Sequence, residues 1–171
     1  QVIAINDLGS VETNAHLIKY DSTHGILNDE VTTTDDSLKI GKQKIKVFAE
    51  RDPEKLPWGK LGVQVVLECT GLFLDKISAG KHIKAGAKKV IISAPGKDVD
   101  FTLVQGVNNK ELKKDHNIIS NGSCTTNCLA PVAMVLEKNF GIKYGYMTTI
   151  HSYTGDQNLL DTLHKDLRRA R

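Results

Sequence analysis

VQVVLECTG (63–71), DKISAGKHIKAGA (75–87) and KKVIISAP (88–95) follow one another with almost nothing between them. The first is an apolar, β-branched run with a glycine just past its end, the pattern of a buried parallel strand. The second carries helical spacing, with Ile77, Lys81 or His82, and Ala85 in register. The third returns to strand composition. A strand, a helix and a strand at this spacing predict a parallel βαβ unit. Working outward, FTLVQGV (101–107) and HNIIS (116–120) are further β-rich runs, and QVIAINDL (1–8) is an apolar strand ending in Asn-Asp. Residues 11–20 space Val11, Ala15, Leu17 and Ile18 as a helix. Residues 30–48 alternate about Gly41 as an antiparallel hairpin or meander, which Arg51-Asp52-Pro53 breaks. This rhythm predicts an α/β, doubly wound sheet.

The organisation changes near residue 121. A helix is expected from 124 to about 140, with Val132, Val135, Leu136 and Phe140 along one face and Gly141 closing it. Pro131 lies inside and is expected to distort a turn. Residues 143–153 read as a strand, and 155–171 as a polar, irregular segment.

Composition narrows the function classes. Of 171 residues, 40% are hydrophobic and 25% charged, which suits a globular protein. No window reaches the roughly 18 apolar residues of a membrane span, and no signal peptide is visible. Net charge is +3, with lysines interleaved among acids and only 5% aromatics, so a primary role on nucleic acid is not expected. Arg168, Arg169 and Arg171 form the one basic run. Three cysteines, Cys69, Cys124 and Cys128, make an odd count that points to a reducing cytosol. The chain starts at Gln1 inside a strand and stops after a charged segment, so it is expected to be part of a longer protein.

The chemistry concentrates in SNGSCTTNC (120–128). Cys124 and Cys128 lack the two further ligands of a structural zinc site, and a disulfide between them would strain a helix. Cys128 and Cys69 read as small buried hydrophobes. Cys124 follows an Asn-Gly-Ser turn and opens a helix, where the dipole favours an anion and lowers a thiol pKa. Position alone leaves a nucleophile and a plain structural thiol both standing. His151, in MTTIHSYT (147–154), is the best candidate base, if its strand returns beside the helix start.

SCTTNCLAP (123–131), TTIHSYT (148–154) and HKDLRRAR (164–171) resemble the phosphorylating glyceraldehyde-3-phosphate dehydrogenases. So do INDL (5–8), KYDSTHG (19–25), AERDP (49–53), CTGLF (69–73) and HIKAGAKKVIISAP (82–95), in the family's order. The resemblance implies a Rossmann-type NAD-binding domain over 1–122, lacking its first strand and glycine-rich loop, and the start of an α+β catalytic domain over 123–171. It implies a cytoplasmic homotetramer that oxidises glyceraldehyde 3-phosphate with NAD and inorganic phosphate in glycolysis. Cys124 then matches the nucleophile and His151 its base. Ser123, Thr125, Thr154 and Arg171 match phosphate and substrate ligands. Asp7 matches the ribose-binding acid, and Arg51, Ser93 and Thr70 further cofactor contacts. No metal is implied. Gly122 stands where alanine is common and Cys69 where serine is common. Leu163 and Thr162 differ from NAD-preferring members, which leaves mixed NADP use open. Rival readings are the sister activity on erythrose 4-phosphate and a non-catalytic, redox or binding role of the same scaffold.

Overall fold

A computed structural model of the chain describes residues 1–154. Two compact units divide it, the first Gln1–Val132 and the second beginning at Ala133.

The first unit opens with β1 (Ala4–Asn6) and α1 (Val11–Lys19), whose N-cap Ser10 accepts from the Thr13 amide. A short hairpin follows, β2 (Tyr20–Asp21) with β3 (Gly25–Ile26). Then come β4 (Val31–Thr34), β5 (Ser37–Ile40) and β6 (Gln43–Phe48), in a four-stranded sheet of order β1-β6-β5-β4. The meander is antiparallel as its alternation predicts, while β1 runs parallel to β6. Val11, Ala15 and Ile18 of α1 pack on Leu38, Ile45 and Val47, and Leu17 points outward. Leu38 is fully buried, which contributes about 2 kcal/mol.

After a 3-10 turn at Pro53–Lys55 the chain builds the predicted βαβ unit: β7 (Val65–Glu68), α2 (Lys76–Lys84) and β8 (Lys89–Ile92). Next come β9 (Phe101–Thr102) and β10 (Ile118–Ser120), and the sheet is all parallel in the order β7-β8-β10-β9. Asp75 starts α2 as a capping box with Ser78. Of the register expected for α2, His82 faces inward and Ala85 packs against the core, but Ile77 is exposed and Ala79 is buried instead. Asp75 fixes the helix start, and a buried carboxylate on β7 draws His82 in.

Among the described residues the strands thus form two four-stranded sheets and the separate β2-β3 hairpin rather than one sheet, and β1 and β7 each pair along one side. Leu56, Trp58, Val63, Val66 and Ala87, with Ala4 and Phe48, make a core shared by both sheets.

The expected helix is present as α3 (Cys124–Phe140), continuous through Pro131. Gly141 ends it at φ +72°, and its amide donates to the Glu137 carbonyl. Val132, Val135, Leu136 and Phe140 are exposed. Residues 143–153, read as a strand, form none. A strand needs a ladder partner, and among the described residues this segment has none. The predicted irregular segment 155–171 lies outside the described residues.

Candidate active site

Residues 120–127 form a turn with a defined lock at each step. At the end of β10, the Asn121 amide donates to the Ile92 carbonyl at 2.9 Å. Gly122 takes φ +66°, a conformation side-chain-bearing residues avoid, and its amide donates to Ser120 Oγ at 3.0 Å. Ser123 is the N-cap: its Oγ accepts from the Thr126 amide at 2.9 Å, and its carbonyl from the Asn127 amide. Asn127 Nδ2 reaches back to the carbonyls of Asn121 (2.7 Å) and Ser123 (2.9 Å). Cys124 is therefore the first residue of α3 and Thr125 the second, at the positive end of the dipole. Cys124 is exposed, as an attacking thiol must be.

Cys69 and Cys128 are exposed too, against the expectation that both are buried. The alternation of β7 turns Val66 and Glu68 inward and leaves Cys69 past the strand end, facing out. Cys128 lies one turn beyond Cys124 on a helix that buries no residue.

The candidate cofactor residues all follow strand ends. Asp7 comes just after β1; its amide donates to the Phe48 carbonyl and its Oδ1 accepts from the Gly9 amide at 2.7 Å. A Cβ on Gly9 would stand 3.0 Å from that oxygen, so glycine keeps the approach to Asp7 open. Arg51 is exposed in the segment after β6, at the same edge. Asn6 clamps that segment, exchanging hydrogen bonds with both the carbonyl and the amide of Glu50. The neighbouring Asp52 pairs with Lys81 at 3.2 Å.

Thr70 and Ser93 follow β7 and β8, at the same carboxyl edge of the parallel sheet as the 121–124 turn. The Ser93 amide donates to the Glu68 carbonyl at 3.0 Å. The Thr70 hydroxyl donates to Glu68 Oε1 and accepts from the Leu72 amide, so its proton is already committed within the chain. Such carboxyl edges are where open α/β sheets bind ligands.

His151 and Thr154 belong to the second unit, in exposed chain without regular structure. His151 Nδ1 donates to the Ser152 carbonyl, so in the neutral ring Nε2 is the basic nitrogen. Arg171 lies outside the described residues. Among the described residues, no three His, Cys, Asp or Glu side chains cluster as metal ligands would, and no helix is long and apolar enough to cross a membrane.

Behind the sheet edge lies a buried relay that the sequence pattern did not single out. Trp58 Nε1 donates to His82 Nδ1 at 3.0 Å, and His82 Nε2 meets Glu68 Oε2 at 2.8 Å. Indole can only donate, so the hydrogen of His82 sits on Nε2 and points at the carboxylate. Glu68 Oε1 takes the Thr70 amide at 2.8 Å as well as its hydroxyl. Burial pushes the Glu68 carboxyl up, but these hydrogen bonds outweigh it and hold the group below the ordinary carboxylate value. The available signal was a carboxylate inside an apolar strand and a histidine on a helix, each demanding a partner if buried.

Two family models match, over residues 1–76 as "Glyceraldehyde 3-phosphate dehydrogenase, NAD binding domain" and over residues 123–171 as "Glyceraldehyde 3-phosphate dehydrogenase, C-terminal domain". The chain belongs to the glyceraldehyde-3-phosphate dehydrogenase family. It is 58% identical over 171 residues to the glyceraldehyde-3-phosphate dehydrogenase of Pseudomonas aeruginosa, covering 100% of this chain and 51% of that relative. It is 57% identical over 172 residues to glyceraldehyde-3-phosphate dehydrogenase 1 of Bacillus cereus, with 100% and 52% covered. The enzyme of Geobacillus stearothermophilus is 58% identical over 172 residues, with 100% and 51% covered. The chain thus spans about half the length of the curated relatives it matches. In the terms of the glyceraldehyde-3-phosphate dehydrogenase family, Asp7, Arg51 and Thr70 fall within the NAD-binding match. Ser123, Cys124, Thr125, His151 and Thr154 fall within the C-terminal match, as does Arg171.

Proposed function

We propose that this chain supplies the nucleophile and much of the cofactor surface of an enzyme that oxidises glyceraldehyde 3-phosphate, with NAD and inorganic phosphate, to 1,3-bisphosphoglycerate. The supporting observation is the exposed Cys124 at the first position of a Ser123-capped helix. Residues 1–122 are taken as the cofactor domain and 123–171 as the start of the catalytic domain. The working enzyme is taken as a cytoplasmic homotetramer acting in glycolysis, with no metal.

Chemistry at Cys124 begins with the thiolate, which the helix dipole favours. Its sulfur adds to the aldehyde carbon to give a thiohemiacetal. His151 takes the thiol proton at Nε2, and as imidazolium it donates toward the oxyanion that forms. NAD, when bound, supplies the hydride acceptor. As the hydride leaves, the hydroxyl proton returns to His151; this oxidation leaves a thioester on Cys124, which keeps the acyl carbon reactive toward phosphate, and attack by phosphate returns the thiolate. Ser123, Thr125, Thr154 and Arg171 are assigned to the phosphate groups, where hydroxyls, helix-start amides and a guanidinium suit anionic oxygens without a metal. The residues fit the cofactor: the Asp7 carboxylate accepts from ribose hydroxyls, beside a glycine that leaves it open. Arg51, Ser93 and Thr70 are assigned further contacts, Thr70 through acceptor positions because its proton is committed to Glu68.

The test is acyl-phosphate formation by the intact protein. Cys124→Ser is expected to lower turnover by at least about a thousandfold. Turnover that survives this substitution, or a preference for erythrose 4-phosphate, would refute the assignment.

A further inference from the structure

We propose that Ser120 is a positioning residue for the chemistry of Cys124. Its hydroxyl would lock the turn that carries the thiol onto the loop that follows β8. The proposal rests on the reading of Cys124 as nucleophile.

Ser120 is fully buried at the last position of β10. Its Oγ donates to the Ala94 carbonyl at 2.7 Å and accepts from the amides of Gly96 and Gly122, each at 3.0 Å. One hydroxyl has one hydrogen and two lone pairs, so its whole capacity is committed. The three partners lie on two segments just past the ends of β8 and β10, beyond the last rung of the ladder that joins those strands. Ala94 and Gly96 belong to the loop that begins with Ser93, a candidate cofactor contact. Gly122 lies two residues before Cys124 in the turn that sets where α3 starts.

Side-chain volume around this oxygen is restricted. A Cβ on Gly96 would stand 2.6 Å from Val99 Cγ1 and 3.1 Å from Ser120 Cβ, so the loop can sit this close only as glycine. Gly122 is buried and at φ +66°. The backbone of Ser120 is held as well, its carbonyl accepting from the Leu103 amide at 2.8 Å. The hydroxyl is therefore a fixed point, and the two glycine amides take their positions from it. Removing it leaves both amides without this acceptor and lets the 121–123 turn shift against the cofactor loop. A small displacement between thiol and hydride acceptor is costly, because a misplacement of ~1 Å can lose roughly a hundredfold in rate.

The experiment compares Ser120→Ala, Ser120→Thr and Cys124→Ser in the intact enzyme. Read out are kcat, KM for the aldehyde, melting temperature, and the pH profile of alkylation of Cys124 by iodoacetamide. Cys69 and Cys128 serve as internal references, resolved by mass spectrometry. Ser120→Ala is expected to lower kcat by about 10–100-fold, with KM within about twofold. It should also change the alkylation profile of Cys124 while leaving those of Cys69 and Cys128 as they were. Ser120→Thr, which keeps the hydroxyl, is expected to retain kcat within about fivefold even if its melting temperature falls, and it carries the test alone if Ser120→Ala does not fold. A Ser120→Ala enzyme that loses only melting temperature, or a folded Ser120→Thr as slow as Ser120→Ala, overturns the proposal. If Cys124→Ser is inactive while Ser120→Ala is unchanged, only the role of Ser120 falls. If Cys124→Ser keeps turning over, the nucleophile reading falls and this proposal with it.

Discussion

Glu68→Gln changes no side-chain volume of consequence, yet it should destabilise the first unit measurably. Glu68 is 3% exposed and accepts from three donors: His82 Nε2, the Thr70 amide and the Thr70 hydroxyl. A carboxamide offers one oxygen and one NH₂ group. If the oxygen faces Thr70, the NH₂ group points at the hydrogen on His82 Nε2. His82 could move that hydrogen to Nδ1, but Nδ1 already receives the Trp58 N–H. The donor-to-donor conflict only moves one link along the relay. If the amide turns round, the two Thr70 donors lose their acceptor instead. No hydrogen assignment satisfies the chain. Losing a hydrogen bond to a charged group and leaving a buried donor unmet costs about 2–3 kcal/mol. With a urea m-value of about 2 kcal/mol/M, the unfolding midpoint should fall by roughly 1–1.5 M. Circular dichroism measures it, and Trp58, the only tryptophan of these 171 residues, reports locally through its emission. A midpoint within about 0.3 M of the parent, with unchanged Trp58 emission, would refute the claim that the relay has one consistent hydrogen-bond assignment.

Three other outcomes follow from the same reasoning. Burial of Asp100 pushes its carboxyl up, but Lys76 at 2.6 Å and the amides of Ile118 and Asn117 outweigh that and hold it to about 2. A depressed carboxylate stabilises the fold fully above its ordinary value of 3.8 and loses that contribution as pH falls through about 2; Asp100→Asn should flatten acid denaturation in that window, as acid titration of the circular dichroism signal would reveal. Gly86→Ala would put a Cβ 2.4 Å from Gly59 Cα at φ +108°. It should cost about 2–4 kcal/mol, which calorimetry would record as a fall in Tm of roughly 5–15 °C. Asp7→Ala should raise KM for NAD by about 10–100-fold, the loss of a charge-assisted hydrogen bond, with kcat little changed; steady-state kinetics at varied NAD would decide.

The βαβ unit, the antiparallel meander and the span of α3 were legible because each rests on local signals. Residues 63–71 and 88–95 are apolar and β-branched, Asp75 and Ser123 cap, and Gly141 stops a helix by accepting φ +72°. The placement of Cys124 was legible for the same reason, since a helix start is a local feature. Residues 143–153 misled because a local reading as a strand cannot supply the ladder partner that a strand needs. Cys69 and Cys128 misled because apolar neighbours say nothing about which way one side chain turns.

Local pattern alone therefore determined the βαβ unit, the meander and α3, and where the thiol sits on that helix. Tertiary structure decided the rest: the split into two sheets, the inward turn of His82, the relay from Trp58 to Thr70, and the threefold use of the Ser120 hydroxyl. Periodicity and capping act between residues a few positions apart. A buried polar group, by contrast, takes its partner from wherever packing brings one: Thr70 and Gly122 lie two positions from Glu68 and Ser120, but the other partners lie 14 to 26 positions away along the chain. The burial that excludes water is what makes those distant partners obligatory.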